Sequence, residues 1–232
     1  MNAYKKFGYY YDEVMSQLNY DLWLEFIEEF LKPGDNVLDL ACGTGTLCTM
    51  LKLKGFDAEG LDLSETILEI GREKMKVNHL NFPLHHADMT NFNLNKKFNM
   101  ITCFFDSVNF LKDIKEVYKM FDCASAHLKD NGYFIIDIFS KELLNEYENN
   151  DIVEDYVTFK LDWKTKKTSP TSLKHTIKII EGDDAFIENY YEYYYEIRQL
   201  QHRKFKLVKI SGDFNDDLED EDERILLVYQ KL

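Results

Sequence analysis

The stretch Asn36-Val37-Leu38-Asp39-Leu40-Ala41-Cys42-Gly43-Thr44-Gly45 constrains the fold of this chain more than any other. Pro33-Gly34 interrupts the preceding segment, and the apolar run Val37, Leu38 and Leu40 behind it reads as a buried strand entered from a turn. A polar corner follows at once. Gly43 and Gly45 carry no β-carbon, so the backbone can bend tightly there and a ligand can approach the main chain. From Thr44 to Leu53 the spacing is helical, which makes the corner a strand-to-helix turn whose free N–H groups face whatever binds. Asp62 lies nineteen residues after Gly43, closing a second predicted strand, Phe56 to Leu61, where a carboxylate can accept hydrogen bonds from both hydroxyls of a ribose. Position 48, where a nicotinamide-dinucleotide fingerprint places a third glycine, is Cys48.

Asp39, Ala41, Gly43 and Gly45, with the strand before them, resemble motif I of the class I S-adenosylmethionine (SAM) dependent methyltransferases. Their cofactor has no phosphate, so it needs close backbone approach and partners for its amino-acid end, but no dipole-bound pyrophosphate. Over residues 1 to 140 the resemblance extends to Tyr4, Phe7, Tyr11-Asp12, Trp23, Asp62-Leu63-Ser64, Asp88-Met89 and Asp106-Ser107-x-Asn109. It is strongest toward small bacterial methyltransferases of unassigned substrate and more distant toward sugar-amine N-methyltransferases. The resemblance implies that the backbone at Ala41 and Gly43 holds the methionine end of SAM, Asp62 the ribose and Asp88-Met89 the adenine. By the same likeness Tyr4 and Tyr11 close the site from the N-terminal segment, and Gly45, Leu63 and Phe104 complete the cofactor-contacting set, with S-adenosylhomocysteine as product.

Along the chain, the aromatic residues within 1 to 15 predict a short helix loosely attached at the terminus and able to act as a lid. Leu22, Trp23, Phe26, Ile27 and Phe30 recur at helical spacing up to Pro33-Gly34. Ser64 is a predicted N-cap for a second crossover helix; Pro83 to Ala87 and Phe98 to Phe105 are predicted strands ending at Asp88 and Asp106. A helical stripe from Ile114 to Leu128 precedes a fifth strand, Gly132 to Phe139. This alternation predicts a parallel, doubly wound sheet. Period-two stretches at Val157 to Trp163, Ser172 to Ile180 and Phe186 to Ile197 then predict a small antiparallel insertion over one edge of the main sheet. Phe205 to Phe214 and Arg224 to Gln230 form a closing hairpin, which makes the last strand antiparallel, the ending the resemblance also implies. The expected fold is α/β: a Rossmann-like, seven-stranded, mostly parallel sheet. Residues 1–148 and 203–232 form the cofactor-binding domain with its lid at 1–15, and 149–202 an antiparallel β insertion on the substrate side. The resembling proteins carry a helix after their insertion, whereas this chain passes from Tyr195-Glu196-Ile197-Arg198 to Phe205 with hardly room for one.

A chain of 232 residues buries roughly 70% of its unfolded surface and supports a full hydrophobic core. Its net charge of −14 disfavours nucleic acid and anionic membranes as partners and favours small neutral or cationic molecules; a monomer or homodimer is expected. Cys42, Cys48, Cys103 and Cys123 show no C-x-x-C spacing and read as reduced thiols of a cytoplasmic protein, with neither a leader's apolar region nor a membrane span in the sequence.

Methyl transfer from a sulfonium is an in-line displacement in which alignment supplies much of the rate, and a base is needed only if the nucleophile is protonated. Candidates at the carboxyl ends of the strands are Asp106, Asn109 and Asp137, each also readable as simply a turn or cap residue. Asp39, inside an apolar strand, is expected to be buried and to shape the corner. In the run Tyr190 to Tyr195, alternation places Tyr191, Tyr193 and Tyr195 on one face and Tyr190 and Tyr194 on the other, as a substrate wall or cation cage, or as packing or a dimer contact. His175 reads as a base or a surface residue. His85-His86 points to opposite sides of a strand and predicts no metal site, and the seven acids of 215 to 223 lack the glycine and spacing of a calcium loop. The leading reading is a SAM-dependent methyltransferase acting on an amine or hydroxyl of a small molecule. A SAM-binding protein of the same fold with lost or regulatory activity is the alternative. A nucleotide-dependent oxidoreductase is the third reading, and Cys48 and the hairpin ending count against it.

Overall fold

The computed structural model describes residues 4–147 and 150–232. In chain order the helices are α1 (Tyr11–Val14), α2 (Asp21–Glu28), α3 (Thr46–Leu53), α4 (Glu65–Val77), α5 (Ile114–His127) and α6 (Lys141–Glu146). The strands are β1 (Asn36–Leu40), β2 (Asp57–Asp62), β3 (Leu84–His86), β4 (Phe98–Cys103), β5 (Leu128–Phe139), β6 (Asp151–Asp155), β7 (Lys160–Ser169), β8 (Ser172–Glu181), β9 (Asp184–Tyr193), β10 (Phe205–Gly212) and β11 (Arg224–Lys231). A seven-stranded sheet runs β10-β11-β5-β4-β1-β2-β3, and a four-stranded sheet runs β6-β7-β8-β9. In the large sheet β3, β2, β1, β4 and β5 are mutually parallel, while β11 lies antiparallel between β5 and β10.

Period-two alternation splits the core of the large sheet in two. Leu38, Ile101, Ile136 and Leu227 pack with Val117 and Phe121 of α5 on one face. Val37, Met100, Ile135 and Leu226 pack with Trp23 and Ile27 of α2 and Leu47 and Leu51 of α3 on the other. The same parity puts Asp39, Thr102 and Asp137 on the α2/α3 side, near the carboxyl ends of their strands. Helix starts are fixed by side chains: Ser64 accepts from Ile67 N–H, Asp113 from Lys115 and Glu116 N–H, and Ser140 from Leu143 N–H.

Three differences from the sequence reading bear on the site. The N-terminal segment is a succession of 3₁₀ turn (Phe7–Tyr10), α1 and 3₁₀ turn (Met15–Gln17), and it is anchored rather than loose. Phe7 is fully buried against Phe159, Leu161 and Ile177, and the Glu188 carboxylate accepts the N–H groups of Lys5, Lys6 and Phe7 at 3.2, 2.6 and 3.1 Å. The insertion sheet has an additional edge strand, β6, and β9 ends at Tyr193. Between Tyr195 and Phe205 the chain makes a 3₁₀ turn, Ile197–Leu200, closed by a reciprocal cap between Glu196 and Gln199 and tied to α5 through Tyr118 Oη donating to Gln199 O at 3.1 Å.

Candidate active site

β1 delivers the chain into the glycine corner with Ala41, Gly43 and Gly45 all in the left-handed region, at φ 54°, 57° and 77°. Gly43 tolerates that conformation because it lacks a β-carbon, and a β-carbon added there would meet only Tyr11 Cε1 at 3.7 Å, so the corner's backbone stays open toward the cleft. Gly45 opens α3 and is turned away, its position bounded by Phe82 at 3.3 Å. Asp62 ends β2 beside the corner: Oδ2 accepts Gly43 N–H at 3.0 Å and Oδ1 accepts Ser64 N–H at 2.8 Å. Burial pushes its carboxyl pKa up, opposed by those backbone donors. Past β3, Asp88 Oδ1 accepts Thr90 N–H and Oγ1–H at 2.8 and 2.7 Å, and Met89 is buried with its sulfur 3.9 Å from Cys103 Sγ.

The N-terminal segment crosses in front of this corner. Ser64 Oγ donates to Tyr4 O at 2.7 Å, Thr44 Oγ1 donates to Asp12 at 2.6 Å, and Lys74 pairs with Asp12 at 2.7 Å. Glu188 holds the same segment from the insertion, so residues 4–12 bridge the two sheets. Tyr4 and Tyr11 sit with ring centroids 5.6 Å apart, and burial drives both phenol pKa values well above the ordinary tyrosine range, which keeps them protonated donors.

A cleft of about 430 Å³ opens between the corner, the segment after β4 and the edge strand β9. Tyr4, Tyr11, Ala41, Gly43, Asp62, Leu63, Asp88 and Met89 all line it, joined by Ser107 and Phe110 from the loop after β4 and by Asn189, Tyr190, Tyr191 and Tyr193 from β9. Phe104 lies apart, fully buried; its neighbour Phe105 reaches the cleft. A second cavity of about 20 Å³ lies under the corner, lined by Asp39, Tyr11, Tyr20 and Phe104 among others. Asp39 Oδ1 accepts from Thr102 Oγ1 at 2.7 Å across the β1/β4 pairing, and burial pushes its carboxyl up to about 7 against the pull of that hydroxyl.

Asp106, Asn109 and Asp137, the candidates at the strand ends, each have partners within the protein. Asp137 is fully buried; it accepts from Trp23 Nε1 at 2.7 Å and from the N–H groups of Phe105 and Asp106 at 3.1 and 2.9 Å, with Arg224 3.0 Å away. Asp106 takes the Arg224 guanidinium in bidentate fashion, at 2.9 and 3.1 Å. Burial works against the charge on Arg224, and Asp106 with Asp137 more than offset it, so the guanidinium pKa rises. Phe105 and Asp106 are consecutive non-glycine residues at φ 57° and 59°, and this buried cluster holds that strained turn, placing Phe105 and Ser107 at the cleft. Asn109 is fully buried, donating from Nδ2 to Tyr193 O at 2.8 Å and so tying β9 to the loop after β4.

His175, a candidate surface residue from sequence, is buried instead: Nδ1 accepts from Trp163 Nε1 at 3.0 Å, and Nε2 therefore carries the proton toward Glu192 Oε2 at 3.0 Å. Because β9 ends at Tyr193, the tyrosine run does not keep one alternation: Tyr195 packs into the main core and donates its hydroxyl to Leu111 O, and Tyr194 stacks on Phe139. Thr102, Phe105, Phe110, Glu188 and Arg224 carry roles the sequence did not disclose. Phe105 closes a predicted strand, and Thr102, Glu188 and Arg224 meet partners 63, 182 and 118 residues away in sequence.

A parallel sheet ordered β3-β2-β1-β4-β5, completed by the antiparallel β11 and by β10, with the glycine corner and an acid-ended β2 at its mouth, is the architecture of the class I methyltransferases. Residues 37–132 match a family described as a methyltransferase domain. A crystal structure of a SAM-dependent methyltransferase from Clostridium acetobutylicum ATCC 824 superposes with a TM-score of 0.85 at 30% identity, covering 99% of each chain. A protein of Geobacillus sp. (strain WCH70) that carries a methyltransferase name is 30% identical over 99% of this chain and 100% of its own. A Streptomyces venezuelae dTDP-3-amino-3,4,6-trideoxy-alpha-D-glucopyranose N,N-dimethyltransferase is 32% identical over 45% of this chain and 42% of its own. The chain belongs to the SAM-dependent methyltransferase family.

Proposed function

We propose that the protein transfers a methyl group from SAM to an amine or hydroxyl of a small molecule. The observation that carries this reading is the single continuous cleft, with the open glycine corner, Asp62 and Asp88-Met89 at one end and the aromatic edge of β9 at the other. The residues fit the cofactor: the Gly43 backbone faces open space that a β-carbon would enter, and Asp62 keeps lone pairs free beyond its two backbone bonds. When bound, SAM supplies a methyl carbon made electrophilic by a sulfonium.

The chain's own residues then have separable tasks. Backbone at Ala41 and Gly43 holds the amino-acid end, Asp62 accepts from the ribose hydroxyls, Leu63 and Asp88-Met89 frame the adenine, and Tyr4 and Tyr11 cover the site and exclude water. Gly45 acts by starting α3, and Phe104 by packing beneath the corner. With Asp106 and Asp137 committed to Arg224 and the tyrosines held protonated, alignment rather than a protein base drives the reaction, and the acceptor's proton goes to water. Residues 1–148 with 203–232 serve as the cofactor domain and 149–202 supply the acceptor side, in a cytoplasmic monomer or homodimer.

The test is S-adenosylhomocysteine formation by the purified protein with SAM and a panel of small amines and alcohols, followed by mass spectrometry. Product above the acceptor-free background is expected with at least one member. Tight SAM binding with no turnover on any amine or hydroxyl would favour a regulatory SAM-binding protein instead.

A further inference from the structure

The acceptor half of the cleft has a charge pattern of its own. Among the described lining residues Lys112 is the one lysine or arginine, and its Nζ is 3.4 Å from Glu116 Oε1. Lys174, across the β8/β9 pairing from Tyr191, lies outside the lining. The start of α5, which borders the cleft, is already filled by the chain's own carboxylates: Asp113 accepts the N–H groups of Lys115 and Glu116 at 2.9 and 3.1 Å, and Glu116 accepts that of Lys112 at 3.0 Å. An incoming anion at this end therefore meets Glu116 with its usual donors taken.

The opposite charge is well served. Tyr4, Phe110 and Tyr190 line the cleft as one edge-to-face aromatic cluster, with ring centroids 6.3, 4.8 and 6.5 Å apart and interplanar angles of 81°, 69° and 68°. The Tyr190 hydroxyl donates to the Glu188 carboxylate, which pushes electron density into the ring, and an electron-rich aromatic face attracts a cation.

We infer that the acceptor half receives an ammonium group on a phosphate-free molecule, seated against Phe110 and Tyr190, and that diphosphate-linked amino sugars are not substrates. This rests on the methyltransferase reading and narrows it, setting the chain apart from the dTDP-sugar N,N-dimethyltransferase it partly resembles. Before transfer the bound ammonium releases a proton to water; its lone pair then forms the N–C bond as the C–S bond breaks and its electrons return to sulfur.

Calorimetric titration of the full chain, with and without saturating S-adenosylhomocysteine, against tetramethylammonium chloride and sodium pyrophosphate at fixed ionic strength tests the inference. Tetramethylammonium is expected to bind and pyrophosphate to give no binding heat. Tyr190→Leu and, separately, Phe110→Leu are expected to weaken the ammonium probe about threefold to thirtyfold in proteins that still bind S-adenosylhomocysteine. Tighter binding of pyrophosphate, no binding of tetramethylammonium, or unchanged ammonium affinity in both variants would overturn it. Failure of S-adenosylhomocysteine to bind would count against the methyltransferase reading, while the titrations of the free protein would still decide between ammonium and diphosphate.

Discussion

Replacing Asp39 by Asn should stabilise the protein most at high pH and progressively less as pH falls toward the unfolded carboxyl value. Asp39 is buried in β1, with Thr102 Oγ1 as donor, and its carboxyl is raised from 3.8 to about 7. Between those values the folded protein keeps a proton that the unfolded chain has released, so folding stability falls as pH rises across this window and the loss is complete above the folded value. A shift of about 3 units at about 1.36 kcal/mol each is at most about 4 kcal/mol. Asn keeps the carbonyl oxygen that accepts from Thr102 and cannot ionise. The variant should therefore exceed the parent by up to about 4 kcal/mol at pH 8 and by less than about 2 kcal/mol at pH 5. Urea unfolding at pH 5, 6, 7 and 8, followed by tryptophan fluorescence, measures this directly, since Trp23 is buried against Asp137. A difference between the two proteins that does not change with pH would refute the assignment of a buried, raised carboxyl at position 39.

Other consequences follow from the same contacts. Arg224→Leu leaves Asp106 and Asp137 facing each other without their cation and should cost about 3–5 kcal/mol in urea unfolding; adding Asp106→Asn should recover part of it, and no recovery would argue against the ion pair as the cause. Asp62→Ala removes a charged acceptor at the corner and should weaken SAM binding by about 1.5–3 kcal/mol while circular dichroism stays unchanged; equal affinity would remove Asp62 from the ribose site. Deleting residues 1–15 takes away Tyr4 and Tyr11 and should lower cofactor retention; full retention would exclude this segment as a cover.

Much of the sheet was legible because its signals are local. The run to Gly45 carries strand, corner and helix in succession, and Asp62 is found by counting one strand-helix-strand unit onward. What escaped depends on contacts far apart in sequence. Arg224 meets Asp106 across 118 residues, and nothing near either one signals the pairing. Strand parity still places Phe104 with Met100 on the α2/α3 side and fails one residue later, where Phe105 and Asp106 are successive left-handed residues and Phe105 lines the cleft. The turn residues Lys129 to Gly132 are absorbed into β5, so that strand begins four residues before the predicted one. His175 reads from sequence as a base or a surface residue, yet it pairs with Glu192 in the interior of the insertion. The N-terminal segment is held by Glu188, a partner that only the folded insertion brings to it.

We propose the cleft as the SAM site. Parallel calorimetric titrations of the purified protein with SAM, S-adenosylhomocysteine and NAD test it most directly. Micromolar binding of the first two is expected, weakened in Asp62→Ala, with no binding of NAD; binding of NAD with no response to SAM would overturn the assignment of the cleft.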